Sequence, residues 1–299
     1  MAKRAEHKGI YIDPLTDFGF SLIFGEKVLL IDFLNEVLNI KGCIKELTYA
    51  PTIRIGITKD DRRAIFDLYC TTGTGEHIIV EMQTVLHKNY KERTIYYISR
   101  LIQEQGKRGK DWDFTLLPVY LINIANFEID KELEKKTFLS RIKLMYEEIN
   151  QPYYNNFTIV YLELPLFTKK VTELESNIDR WMYTLKYLPM LERQPAALRK
   201  DIFEKLFEMA RIARLPKRQQ NAYYKSLQNM SIIKHTITDY KSTITTLQST
   251  ITTLQTSNAT LQTSNAAKDK RIAAKDKRIA ELERRLGIKR RSAKNAIPA

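Results

Sequence analysis

Three polar side chains in this chain have the types and spacing that metal-assisted hydrolysis needs: Asp67, Glu81 and Gln83. Residues 64–72 and 77–83 are rich in Ile, Tyr and Thr and read as strands, with Asp67 inside the first and Glu81-Met82-Gln83 ending the second. Side chains alternate along a strand, so residues 81 and 83 share a face. Asp67 joins them if the pairing sum of the hairpin is even, as with 67 opposite 81 or 83. A three- or five-residue loop gives that parity, and the turn at 71–76 holds two glycines able to take positive φ. Two carboxylates and an amide then meet at one point on a sheet. The carboxylates, with the main-chain carbonyl of Met82, suit a hard divalent cation such as Mg²⁺. A cation so placed polarises a phosphodiester and lowers the pKa of an attacking water. An Asp and a Glu in a hairpin also read as plain surface charges, and spacing alone does not separate the two readings.

The helix expected over 86–105 adds a positive group. Tyr90, Arg93, Tyr97 and Arg100 follow 3-4-3 spacing and share one face. Arg93 is placed to grip a phosphate with its bidentate fork, or else to brace Asp67 or Glu81. Tyr97 and Arg100 extend that face toward DNA, although tyrosines at this spacing equally serve packing. Gln83 itself can orient a water or phosphate only through hydrogen bonds.

These residues need a frame. An apolar helix face at 29–38 comes first, then strands at 46–57, 64–72 and 77–83. The helix at 86–105 follows, then a continuous apolar strand at 116–125 and another strand at 157–163. An antiparallel hairpin feeding a helix and a buried strand implies an α/β fold, a mixed sheet flanked by helices. Residues 168–235 read as a helical extension. The chain has 299 residues, enough for one core of ~150–200 residues plus accessory structure. Two cysteines make no disulfide framework, and four scattered histidines have no zinc spacing. No phosphate-binding loop or Ser-His-Asp arrangement occurs. No apolar leader follows Met-Ala-Lys-Arg and no run is long enough for a bilayer, so a cytoplasmic protein is expected.

From residue 236 to 287 a heptad takes over. Ile237, Ile244, Ile251, Asn258, Asn265, Ile272, Ile279 and Leu286 recur every seven residues, with Tyr240, Leu247, Leu254, Leu261, Lys268, Lys275 and Leu282 on the second seam, where the two lysines weaken the middle. Ile on one seam and Leu on the other favour a parallel two-stranded coiled coil, and a buried Asn fixes register. A homodimer is therefore expected. STITTLQ at 242–248 is repeated at 249–255, and AAKDKRI at 266–272 recurs at 273–279. The formal charge is +14, concentrated toward the C-terminus and its basic tail at 288–299. Such a block attracts polyanions through counterion release, or keeps a coiled-coil surface solvated.

Residues 11–20 (YIDPLTDFGF), 64–70 (AIFDLYC), 80–83 (VEMQ), 93–97 (RTIYY), 117–120 (LPVY) and 162–165 (LELP) resemble, in this order, the Rpn family. That family is the recombination-promoting nuclease and transposase group of the PD-(D/E)XK superfamily. The resemblance runs from residue 10 to about 240 and leaves the coiled coil outside. It implies a restriction-endonuclease-like core over 1–167 and a Mg²⁺-dependent DNA endonuclease linked to recombination or mobile elements. Asp17 would be the first carboxylate, Asp67 and Glu81 the metal ligands, and Gln83 would stand where the motif has lysine. Glu36 is a further acidic residue in the region where the superfamily often places one. Many members read Phe-Lys after Asp-Phe-Gly, whereas here Ser21 follows Phe20. With a glutamine for lysine, a DNA-binding or assembly protein without catalysis is the alternative, and a DNA strand-transferase another.

Overall fold

The computed structural model describes residues 9–38, 40, 43–54, 64–106, 112–133 and 136–287, with backbone alone at 53, 54, 64 and 65. The basic tail at 288–299 lies outside the described residues.

Two short helices open the fold, α1 (Asp17–Phe24) and α2 (Lys27–Leu38). Thr16 caps α1 by accepting the Gly19 N–H at 3.0 Å, a standard way to satisfy a helix-terminal donor. Gly19 is required by close approach: a Cβ there would lie 2.0 Å from the Asp13 carbonyl oxygen. The α2 face expected from periodicity is the buried one, with Leu29, Leu30, Phe33, Leu34, Val37 and Leu38.

The strands are β1 (Leu47–Tyr49), β2 (Ile53–Arg54), β3 (Ala64–Ile65), β4 (Leu68–Thr72), β5 (His77–Gln83), β6 (Val119–Ala125), β7 (Leu139–Tyr146) and β8 (Gln151–Glu163). Six form one mixed sheet in the order β1-β4-β5-β6-β8-β7, and β2 pairs with β3 apart from it. β1, β4 and β5 run antiparallel, β5, β6 and β8 run parallel, and β7 returns antiparallel to β8. The parallel step from β5 to β6 is carried by α3 (Tyr90–Glu104), as parallel pairing requires a crossover.

Period-two alternation divides the core between the sheet's faces. Leu68, Ile78, Val80, Met82, Ile122 and Val160 turn to one side, into a cluster that also holds α1, α2 and the later helices α4 (Asn177–Tyr187) and α5 (Asp201–Met209). Trp181 of α4, fully buried against Phe24, Phe33 and Phe203, anchors that side. Tyr69, Ile79, Leu121 and Ile159 turn to the other side, under Ile98 and Leu101 of α3.

The last helix, α6, spans Lys217–Arg285. The chain divides into compact units at 1–230 and 231–299. Within the first, Tyr223 is buried and its hydroxyl accepts the Asp13 N–H at 2.9 Å. The Ser226 hydroxyl accepts the Phe18 N–H at 3.2 Å. Within the second, the helix leaves its heptad side chains from Tyr240 onward exposed. Among the described residues no helix is long and apolar enough to cross a membrane.

Candidate active site

The hairpin β4–β5 pairs Leu68 with Val80 and Thr71 with His77. Five residues, 72–76, separate the last pair, and Gly75 takes φ 95° in that loop. This is the even parity that puts Asp67 opposite Glu81. One detail differs from the sequence reading: Asp67 is not inside a strand but in a bend between β3 and β4. The difference matters chemically. The bend takes the Asp67 N–H out of the ladder, and it donates to Glu81 Oε1 at 3.1 Å. In return the Met82 N–H donates to Asp67 Oδ2 at 2.9 Å. Each carboxylate is thus fastened by a backbone donor beside the other, which fixes both.

Glu81 is 2% exposed and opens into the α3 side of the sheet. Its outer oxygen, Oε2, accepts from Arg93 Nη2 at 3.3 Å and from Gln83 Nε2 at 3.5 Å. Arg93 lies in the first turn of α3 with its guanidinium 4.9 Å from the centre of the Tyr97 ring. The expected Gln83, Arg93 and Tyr97 therefore gather at the two acids. Arg100 is 7% exposed, and its Nη1 donates to Gln103 Oε1 at 2.9 Å.

Asp17 is exposed in the first turn of α1, beside its capping residue Thr16. Its charge reaches Asp67, where it opposes ionisation. Glu36 belongs elsewhere: its Oε1 accepts from Asn177 of α4 at 3.3 Å, at the α2–α4 contact where Asp32 holds the Trp181 indole N–H at 2.6 Å. Ser21 is exposed on α1. Glu163 is buried and accepts the Ile129 N–H at 2.7 Å, a bond that ties the segment after β6 to the end of β8.

The sequence reading did not single out Asn123. The ladder pairs Glu81 with Asn123 on β6 and Asn123 with Tyr161 on β8. A polar row, Asp67–Glu81–Asn123–Tyr161, therefore runs from the bend before β4 across β5, β6 and β8 on one face. From α3, the Tyr90 hydroxyl donates to Asn123 Oδ1 at 3.2 Å. A polar residue amid the apolar run at 119–125 was the available signal.

Burial first, and then the Asp67 charge, push the Glu81 carboxyl up to about 8. Burial likewise raises Asp67, against the lowering pull of the Met82 N–H and Arg93. Two neighbouring acids that resist ionisation are an electrostatic invitation to a cation. The donor set is hard oxygen, which fits Mg²⁺ or Mn²⁺ rather than a soft metal. No group of three or more His, Cys, Asp or Glu side chains converges among the described residues. The pair thus fits the Mg²⁺ pattern, in which one or two carboxylates are completed by water and substrate phosphate.

Comparison with curated proteins and with solved structures gave no match. The family comparison did: residues 14–245 match the PD-(D/E)XK nuclease family transposase, a span that takes in Asp17, the Asp67–Glu81 pair, Arg93 and all of the mixed sheet. The chain belongs to the PD-(D/E)XK nuclease family transposases.

Proposed function

We propose that this protein is a metal-dependent DNA endonuclease whose centre is the Asp67–Glu81 pair on a restriction-endonuclease-like core. The single observation that carries the reading is the reciprocal fastening of two carboxylates, buried Glu81 held by the Asp67 N–H and Asp67 at the exposed edge held by the Met82 N–H. Their side chains would hold Mg²⁺, with the Met82 carbonyl as a further oxygen. Bound there, a divalent cation supplies Lewis-acid polarisation of the phosphodiester and a water acidic enough to attack.

The chain's own groups have distinct tasks. Asp67 and Glu81 present oxygens already oriented by backbone donors, so little reorganisation accompanies binding. Gln83 orients a water or phosphate oxygen through its amide and carries no charge. Arg93 supplies the positive charge that lysine gives in the motif, passing from Glu81 to a phosphate. Tyr97 stacks under its guanidinium and keeps it aimed. Asp17, in the first turn of α1, and Arg100, further along α3, complete the proposed set.

Two copies are joined in this reading by a coiled coil over 236–287, so that two centres address two strands. Ile244, Leu247, Ile251, Leu254, Leu261 and Ile279 are 45–63% exposed, a single-file apolar seam that water penalises. The flanking charges favour a parallel partner. In a parallel, in-register pair Arg271 faces Asp276 of the other copy, and Arg278 faces its Glu283. The basic tail adds sequence-independent affinity for DNA, and the family description agrees with a role in recombination or mobile elements.

Nicking of supercoiled plasmid in Mg²⁺ by wild type and by Glu81→Ala tests the reading. Cleavage by the first alone is expected. If neither nicks while both bind DNA, the protein is a binding or assembly factor, the reading that Gln83 favours. Joined products in a strand-transfer assay would replace hydrolysis by transposition.

A further inference from the structure

A buried donor without an acceptor sits beside a buried carboxylate oxygen with poor donors. Asn123 is 2% exposed, and its Nδ2 has no hydrogen-bond partner among the described residues. Such a group costs about 1–3 kcal/mol, and folds rarely keep one without use. Its neighbour across the parallel ladder is Glu81. Register partners in parallel strands lie ~4.8 Å apart and point to the same face. Glu81 Oε1 is well held by the Asp67 N–H, but among the described residues Oε2 has only Arg93 at 3.3 Å and Gln83 at 3.5 Å. Both distances exceed the 2.7–3.2 Å of a good N–H···O bond.

Arg93 has two claims on it. It now holds Glu81, and in the proposed reaction it holds a phosphate. When it leaves, Glu81 would lose its best outer donor at the moment its orientation matters most. We infer that Asn123 is a positioning residue for Glu81: its Nδ2 takes the outer oxygen when Arg93 turns to substrate. The inference rests on the nuclease reading. Tyr90 fits it, since its hydroxyl holds Asn123 Oδ1 and so turns Nδ2 away from α3's side of the amide. The bond occupies the oxygen end of the amide and leaves the donor end available.

The test uses the full chain and three measurements: plasmid nicking kinetics in Mg²⁺, thermal unfolding without metal, and the rise in Tm on adding Mn²⁺ without DNA. Asn123→Leu should lower kcat about 10–100-fold, the usual cost of losing an outer-shell partner, with KM changed less than about twofold. Its Mn²⁺-induced rise in Tm should shrink while its metal-free Tm changes little, because removal of the unmet Nδ2 offsets the acceptor lost to the Tyr90 hydroxyl. Asn123→Ala, which cannot clash, should show the same kinetic loss if the leucine variant folds poorly. Tyr90→Phe, which keeps Nδ2, should stay within about threefold of wild type. Wild-type kcat in both Asn123 variants overturns the inference, and so does an equal loss in Tyr90→Phe, which would make the amide a mere prop for the tyrosine. Glu81→Gln separates the two levels. If it abolishes nicking and the Mn²⁺ response while Asn123→Leu leaves both intact, only the role of Asn123 fails. If Glu81→Gln keeps both, the nuclease reading itself fails.

Discussion

Replacing Glu81 with glutamine should stabilise the metal-free protein at alkaline pH. The Glu81 carboxyl ordinarily ionises at 4.5 and is pushed to about 8 in the fold by burial and by Asp67. The native state therefore keeps a proton that the unfolded chain releases, so stability falls as pH rises from about 4.5 and levels off above 8. At about 1.4 kcal/mol per tenfold, that displacement is worth on the order of 5 kcal/mol once the group is ionised. Glutamine removes this penalty and keeps an oxygen to accept the Asp67 N–H. It forfeits the charge attraction to Arg93, whose side chain is 34% exposed, a loss of ~1 kcal/mol or less. The net expectation is a gain of roughly 2–4 kcal/mol at pH 8.5, shrinking below about 1 kcal/mol at pH 5. Urea unfolding of both proteins in EDTA at the two pH values reads this directly. Saturating Mn²⁺ should reverse the comparison at pH 8.5, because only wild type gains by mass action. A variant that is destabilised equally at both pH values would refute the electrostatic account of the pair.

Arg93→Gln should weaken DNA binding and lower the slope of log K against log salt by about one; an unchanged slope in fluorescence anisotropy means that Arg93 touches no phosphate. Charge reversal at Arg271 and Arg278, to glutamate, should drive sedimentation toward monomer, and adding Asp276→Arg with Glu283→Arg should restore the dimer; a dimer indifferent to both sets would not be a parallel, in-register coil. Gly19→Ala forces a Cβ to within 2.0 Å of the Asp13 carbonyl and should cost about 3 kcal/mol or more in urea unfolding; a loss under about 1 kcal/mol would show that the Asp13–Gly19 turn yields easily.

The parts of this molecule governed by local periodicity were legible in the sequence. The α2 face, the β4–β5 parity and the apolar β6 follow from alternation and turn chemistry, which act over a few residues. What was missed depends on partners distant in sequence. β7 went unseen because Arg141, Lys143 and Tyr146 blur its alternation, and only pairing with β8 makes it a strand. β8 begins at Gln151 rather than 157 because the hairpin arm runs past the core. The bend at Asp67 is invisible locally, since carboxylates replace carbonyls as acceptors only once Glu81 is across from it. Asn123 was hidden by its apolar neighbours, and its meaning comes from a register with β5 that spans α3.

The site's position explains how such a costly arrangement persists. Two facing acids in the middle of a ladder, one of them buried, would break it, and no single donor would compensate. Here they sit at the end of the antiparallel pairing, where the bend releases two backbone N–H groups, from Asp67 and Met82, to take them. α3 begins at Tyr90, just beyond β5, and its first turn delivers Arg93 to Glu81. Its N-terminal end thus contributes positive potential where negative charge is concentrated. The lysine of the motif would place one more charge on the strand itself. In the proposed assignment Gln83 stands there instead, and the cationic character of the site resides on α3, at the end of a long side chain. A centre charged from a movable arginine needs something immobile to hold Glu81 when that arginine departs, and the neighbouring strand carries an amide with a spare N–H at the right register.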